Sequence, residues 1–161
     1  MRKIWLVGLF LTTIFTACVT IPTPEPEKTP RFITPIPPQE TVHRFVRYYN
    51  ERNSSMLYSL FSEKVRANHT VEEVENHLRL AEVYGVKIVE WKQVGKERIL
   101  HPYRFLNVSF ILQLDGNVSN VTVLLPTVFE NGDFLIDKWI FRELGWEEIV
   151  MEQEQQKSVR L

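Results

Sequence analysis

The sequence predicts an α+β domain, with three N-terminal helices packed on a curved antiparallel sheet of about four strands. Three observations lead there. Apolar residues recur at helical spacing from Val42 to Ala81, the period changes to two after Gly85, and Asp115-Gly116 and Asn131-Gly132 mark tight turns between the later runs. A cystatin-like arrangement, one helix wrapped by a meander, is the closest rival. Three consecutive helices argue against it.

The first helix starts at Pro38-Gln39-Glu40. Val42, Phe45, Val46 and Tyr49 fall along one face, with His43, Arg44 and Arg47 on the other. Asn53-Ser54 breaks it and caps a second, shorter helix whose apolar stripe is Leu57, Leu60, Phe61 and Val65. Thr70 opens the third, with Glu73 completing a capping box, and Gly85 stops it. Val71, Val74, Leu78 and Ala81 form its buried side, which leaves His77 as a surface residue.

Beyond Gly85, Val86, Ile88 and Glu90 alternate with Lys87, Val89 and Trp91. The run from Tyr103 to Asp115 places Leu106, Val108, Phe110, Leu112 and Leu114 on one face; the other, with Phe105, Asn107, Ser109, Ile111 and Gln113, is mixed enough to meet water. His101-Pro102 reads as a turn between strands. Val121, Val123 and Leu125 form the inner side of the next strand, and a last strand is expected from Phe134 to about Arg142.

The chain ahead of this domain has a different composition. Arg2 and Lys3 precede an uncharged, mostly apolar stretch from Ile4 to Ala17, the layout of a secretory signal. The stretch is shorter than the about 20 apolar residues of a membrane span. Its end, Phe15-Thr16-Ala17-Cys18, resembles a lipoprotein signal box, in which a small residue precedes a cysteine that is lipidated. Phe15 departs from the leucine usual there, so an uncleaved N-terminal membrane anchor remains the alternative. Cys18 is the only cysteine, so no disulfide can staple the domain. Residues 20–38 hold most of the nine prolines and read as a semi-extended Pro/Thr-rich tether.

Five of the eight asparagines open an Asn-x-Ser/Thr triplet: Asn53, Asn68, Asn107, Asn117 and Asn120. Chance would give about one. The cluster fits a glycosylated, exported protein, and with a lipoprotein-type leader it points to an archaeal cell surface. Asn107 and Asn120 are expected on the outer face of the sheet, where sugars would block pairing through that face, so a monomer or a weak dimer formed elsewhere is expected. The organisation is then a signal peptide at 1–17, lipidated Cys18 and tether at 18–38, the domain at 39–145 and a partly disordered acidic tail at 146–161. Trp146, Ile149 and Val150 offer that tail a docking turn.

Without Arg2 and Lys3 the chain carries 17 basic and 20 acidic residues, a formal charge of −3. No basic stripe or nucleic-acid motif is present, which argues against nucleic acid as a partner. No metal-ligand spacing, Gly-rich phosphate loop or nucleophile elbow is found, and no cofactor is expected.

Helix–short helix–helix followed by long strands, with Asn131-Gly132-Asp133 and Trp139-Ile140 near the end, resembles the nuclear-transport-factor-2-like superfamily of cone-shaped α+β domains. The resemblance covers roughly residues 39–143 and rests on element order. It implies a cone that can enclose an apolar cavity, with Tyr48, Tyr84, Trp91, Phe110, Asp137 and Trp139 as possible pocket residues. It also implies an enzyme alternative, since some members are isomerases or dehydratases using an Asp or His with a Tyr. Candidates are Asp137, His77, His101, Tyr84 and Tyr103. Asp137 shares a strand phase with Leu135, Trp139 and Phe141, but Lys138 has equally apolar neighbours, so an exposed, solvated carboxylate is the expectation. The favoured reading is a membrane-anchored extracellular module, non-catalytic, with a protein-interaction or surface-accessory role. Binding of a small apolar ligand is the alternative.

Overall fold

A computed structural model describes residues 36–114, 116–148 and 151; the leader, Cys18 and most of the tether and tail lie outside them. The fold is α+β, with helices covering one face of a curled antiparallel sheet. Helix α1 spans Pro38–Asn50, α2 Ser54–Ser59, α3 Glu63–Arg66 and α4 Val71–Val83. The strands are β1 Lys87–Gln93, β2 Arg98–Leu100, β3 Tyr103–Leu114, β4 Asn117–Glu130 and β5 Asp133–Ile136, followed by a 3-10 turn at Phe141–Leu144.

The second, shorter helix expected from the Leu57–Val65 stripe is two separate pieces, α2 and α3. Phe61 forms a parallel bridge with Ile136, and the Ser62 amide bonds the Ile136 carbonyl at 2.9 Å, so the backbone leaves the helical path to join the sheet edge. Ser62 then caps α3 by accepting from the Val65 amide. The stripe is still buried throughout, because Leu57, Leu60, Phe61 and Val65 all face the core. Helix α4 begins at the Thr70–Glu73 capping box, with both reciprocal bonds formed.

Strand order is β1-β3-β4-β5, with short β2 pairing beside β1 on the same edge of β3. The β3–β4 ladder runs from Tyr103 opposite Val128 to Leu114 opposite Asn117, leaving a two-residue turn. Asn131 and Gly132 link β4 to β5 with φ of 52° and 88°, the positive pair that a tight hairpin requires. The β3 alternation holds: Leu106, Val108, Phe110, Leu112 and Leu114 are all buried, and Val123 and Leu125 join them from β4. Asn107 pairs with Leu124 and Asn120 with Ile111, which puts both asparagines on the other face. Ser109 on that face is nevertheless buried, its hydroxyl donating to the Asn120 side-chain oxygen.

Three expectations need correction. The β1 alternation is interrupted by a bulge between Ile88 and Glu90, which exposes Val89 and brings Trp91 opposite Phe110 on the inner side. The last strand ends at Ile136, not near Arg142, and the chain turns down through Asp137 into the 3-10 turn. The domain does not end at residue 145 either. Gly145, at φ 66°, turns the chain so that Trp146 enters the core, where it is 1% exposed.

The core is aromatic. Phe45 contacts the rings of Tyr49, Phe110 and Phe141 at centroid distances of about 6 Å. Helix α1 is fixed across the sheet by Thr41, whose hydroxyl donates to the Phe134 carbonyl at 2.6 Å, and by a two-pronged pair of Arg44 with Asp133 at 2.6 and 2.8 Å. At its other end Asn50 bonds both the amide and the carbonyl of Ile88.

Candidate functional site

The one histidine of the domain core lies on α4. Although read as a surface residue, His77 is 7% exposed. Its Nε2 receives a hydrogen bond from the Trp146 indole N–H at 3.3 Å, with the Tyr49 hydroxyl 3.4 Å away. An indole can only donate, so Nε2 carries the lone pair and Nδ1 the proton. Nδ1–H then donates to the Glu147 carboxylate at 3.2 Å. Burial, reinforced by the positive charge of Arg52, pushes the imidazole pKa down to about 4, so the ring is neutral at physiological pH. Desolvation likewise pushes the Tyr49 phenol upward.

This arrangement satisfies polar groups inside an apolar core rather than presenting a base. The histidine lone pair is taken by Trp146, and Tyr49 has no solvent contact. A base must reach a proton on a substrate; His77 borders a groove, but its lone pair is committed to the Trp146 indole.

Beside His77 a groove of about 270 Å³ opens between α4 and the 3-10 turn. Trp139 forms one wall, its ring stacked on His69 at 4.0 Å and 5°. The His69 imidazole meets the Glu73 carboxylate at 2.8 Å, and that contact holds the Glu73 carboxyl below its usual range. Arg142 and Glu147 complete the rim. Charges of both signs, partnered or at the rim, and one aromatic wall suit polar contact with a partner.

Asp137 is neither an exposed charge nor a carboxylate in an apolar pocket. Its side chain is 5% exposed, accepts from Ser62 Oγ at 2.6 Å and pairs with Lys64 at 3.1 Å. It ties the loop after β5 to the start of α3, and no tyrosine faces it among its bonds. Of the other possible pocket residues, Phe110 lies in the core against Phe45, and Tyr48 is buried with its hydroxyl accepting from Arg47. Tyr84 and Trp91 pack against the core margin. Trp139 alone of the set borders a groove described here. His101 and Tyr103 border a different one, of about 410 Å³, with Ile99, Pro102, Arg104, Phe129 and Phe134. His101-Pro102 is a turn, as expected.

Among the described residues no group of three or more His, Cys, Asp or Glu is placed to hold a metal ion. No described helix is long and apolar enough to cross a membrane. The acceptor asparagines Asn53, Asn68, Asn107, Asn117 and Asn120 all fall within the described residues, Asn53 as the cap of α2. Compared with known proteins, the chain matches no family model and no curated relative.

His77 carried a signal in the sequence. It stands three residues after Val74 and four before Ala81, the spacing of a shared helical face.

Proposed function

We propose that this protein is an exported, membrane-anchored accessory module of nuclear-transport-factor-2-like architecture, non-catalytic and acting through contacts of its surface. The observation that carries the reading is the interior. The residues the resemblance offers as acid–base partners are committed to structural bonds, Asp137 to Ser62 and Lys64, His77 to Trp146 and Glu147. Meanwhile apolar side chains are left outside, with Ile99, Leu100 and Phe129 between 47% and 68% exposed. The rings of Phe45, Tyr49, Phe110 and Phe141 pack against one another inside the core, which supports this reading over a small-ligand site.

The anchor reading rests on the sequence of the leader, Cys18 and the Pro/Thr-rich tether. Its test is expression of the full chain in a cell that exports lipoproteins. The chain is expected in the membrane fraction and open to protease added to intact cells, with Cys18→Ser losing incorporated fatty acid. A chain protected from external protease would overturn export. Retention of Cys18→Ser at the membrane without fatty acid would assign the anchor to an uncleaved leader.

A further inference from the structure

We infer that the end of the sheet carrying the β2–β3 turn is a membrane-docking face, which takes an anionic lipid surface as its partner. This inference rests on the anchor reading above and adds an orientation to it. Three independent observations meet at this end.

The first is exposed apolar surface. Ile99 and Leu100, on the three-residue strand β2, are 68% and 67% exposed, and Phe129 across the groove is 47% exposed. Singly such residues mean little; here Ile99 and Leu100 project from the two faces of a short strand tip, with Phe129 on the Ile99 side, so that the tip itself is the wedge.

The second is charge. Arg98, next to Ile99 on β2, and Lys96 in the preceding turn are exposed, while Glu97 between them is engaged by Arg104 at 3.1 Å, and Glu130, next to Phe129, accepts from the Glu63 amide. Aliphatic side chains with cations beside them suit the boundary between acyl chains and anionic headgroups, where each contributes independently. A protein partner would be served by the apolar wedge alone; the adjacent cations favour lipid.

The third is where the chain enters. The folded domain begins at α1, and its first turn is bonded to this same end: Thr41 to the Phe134 carbonyl, and Gln39 to Gln93, which itself bonds the Gly95 carbonyl. The described chain therefore begins, at Ile36, on this end of the domain. Of the acceptor asparagines, Asn53 and Asn117 stand at the opposite end, with the α1 C-terminus and the β3–β4 turn, while Asn107 lies beside the β1–β2 turn, its carbonyl accepting from the Val94 amide.

The test uses the full chain on vesicles of phosphatidylcholine and phosphatidylglycerol, some carrying brominated acyl chains. Dansylalanine is incorporated at position 99 in one preparation and at position 83 in another, Val83 being an exposed site at the far end of α4. The chain is expected to float with the vesicles in both cases. Bromine quenches the probe at 99 and not the probe at 83, and Lys96→Glu with Arg98→Glu weakens the quenching without loss of flotation. A chain that floats with neither probe quenched overturns the docking face, leaves the anchor intact and hands the wedge to a protein or a second copy. A chain that does not float overturns the anchor reading and the docking with it.

Discussion

Replacing His77 with glutamine should remove a large part of this domain's loss of stability between pH 7 and pH 5. The imidazole titrates near 6.5 in an unfolded chain and near 4 in the folded one, where burial and the Arg52 charge oppose protonation. Because the folded-state value is the lower, the unfolded chain binds the proton first as pH falls. The histidine's contribution is therefore fully present above pH 6.5 and is lost as pH drops toward 4, with stability rising with pH across that window. At about 1.4 kcal/mol per pH unit, the loss between pH 7 and pH 5 is about 2 kcal/mol from this one group.

Glutamine keeps a carbonyl oxygen to accept from Trp146 and cannot titrate. Urea unfolding at pH 7, 6 and 5, followed by tryptophan fluorescence, reads the difference. The wild-type midpoint should fall with acid and that of His77→Gln should fall much less, the two curves diverging by about 2 kcal/mol at pH 5. Parallel declines would refute the assignment of a neutral, proton-excluding histidine. They would mean that Glu147, 3.2 Å from Nδ1, compensates the imidazolium when it forms.

Trp146→Ala should cost about 3–5 kcal/mol in chemical unfolding, since the indole is almost wholly buried and its loss also leaves His77 Nε2 short of a donor. A change under 1 kcal/mol would place Trp146 outside the folding unit. Gly132→Ala should cost about 1 kcal/mol, because φ is 88° there and no neighbouring atom would meet the added methyl, leaving backbone strain as the whole effect. An unchanged thermal midpoint would show that the β4–β5 turn relaxes without loss.

Legibility in the sequence followed how local each determinant is. The β3 alternation, the Asn131-Gly132 turn and the Thr70–Glu73 box are decided within a few residues, and each appears in the structure as read. The break between α2 and α3 is decided by a partner 75 positions away, since Phe61 leaves its helix to meet Ile136. Nothing in the Leu57–Val65 stripe records that. The end of β5 was equally hidden: Phe134, Leu135 and Ile136 are all buried, so alternation could not tell a continuing strand from a chain turning into the core. The β1 bulge inverted the phase of Trp91 for a similar reason, because an extra residue in one strand is visible only against its partner. Asp137 and His77 were misplaced by the same limit. Their surroundings are made by Ser62, Lys64, Trp146 and Glu147, none of which is a sequence neighbour of either. The apolar wedge at Ile99-Leu100 is a short run with no such partners, and its exposure emerges only when the sheet is assembled.

Under the anchor reading, such a face would need little affinity of its own. A domain held at the surface by its leader or lipid would have an effective concentration there on the order of millimolar, so a contact too weak to hold a free protein would still be populated. Exposed aliphatic side chains with cations beside them would then contribute little to anchoring and much to orientation. The groove between His69, Trp139 and Arg142 is built on α4 and the 3-10 turn, apart from the docking end, and would stay open to a partner while the wedge is engaged.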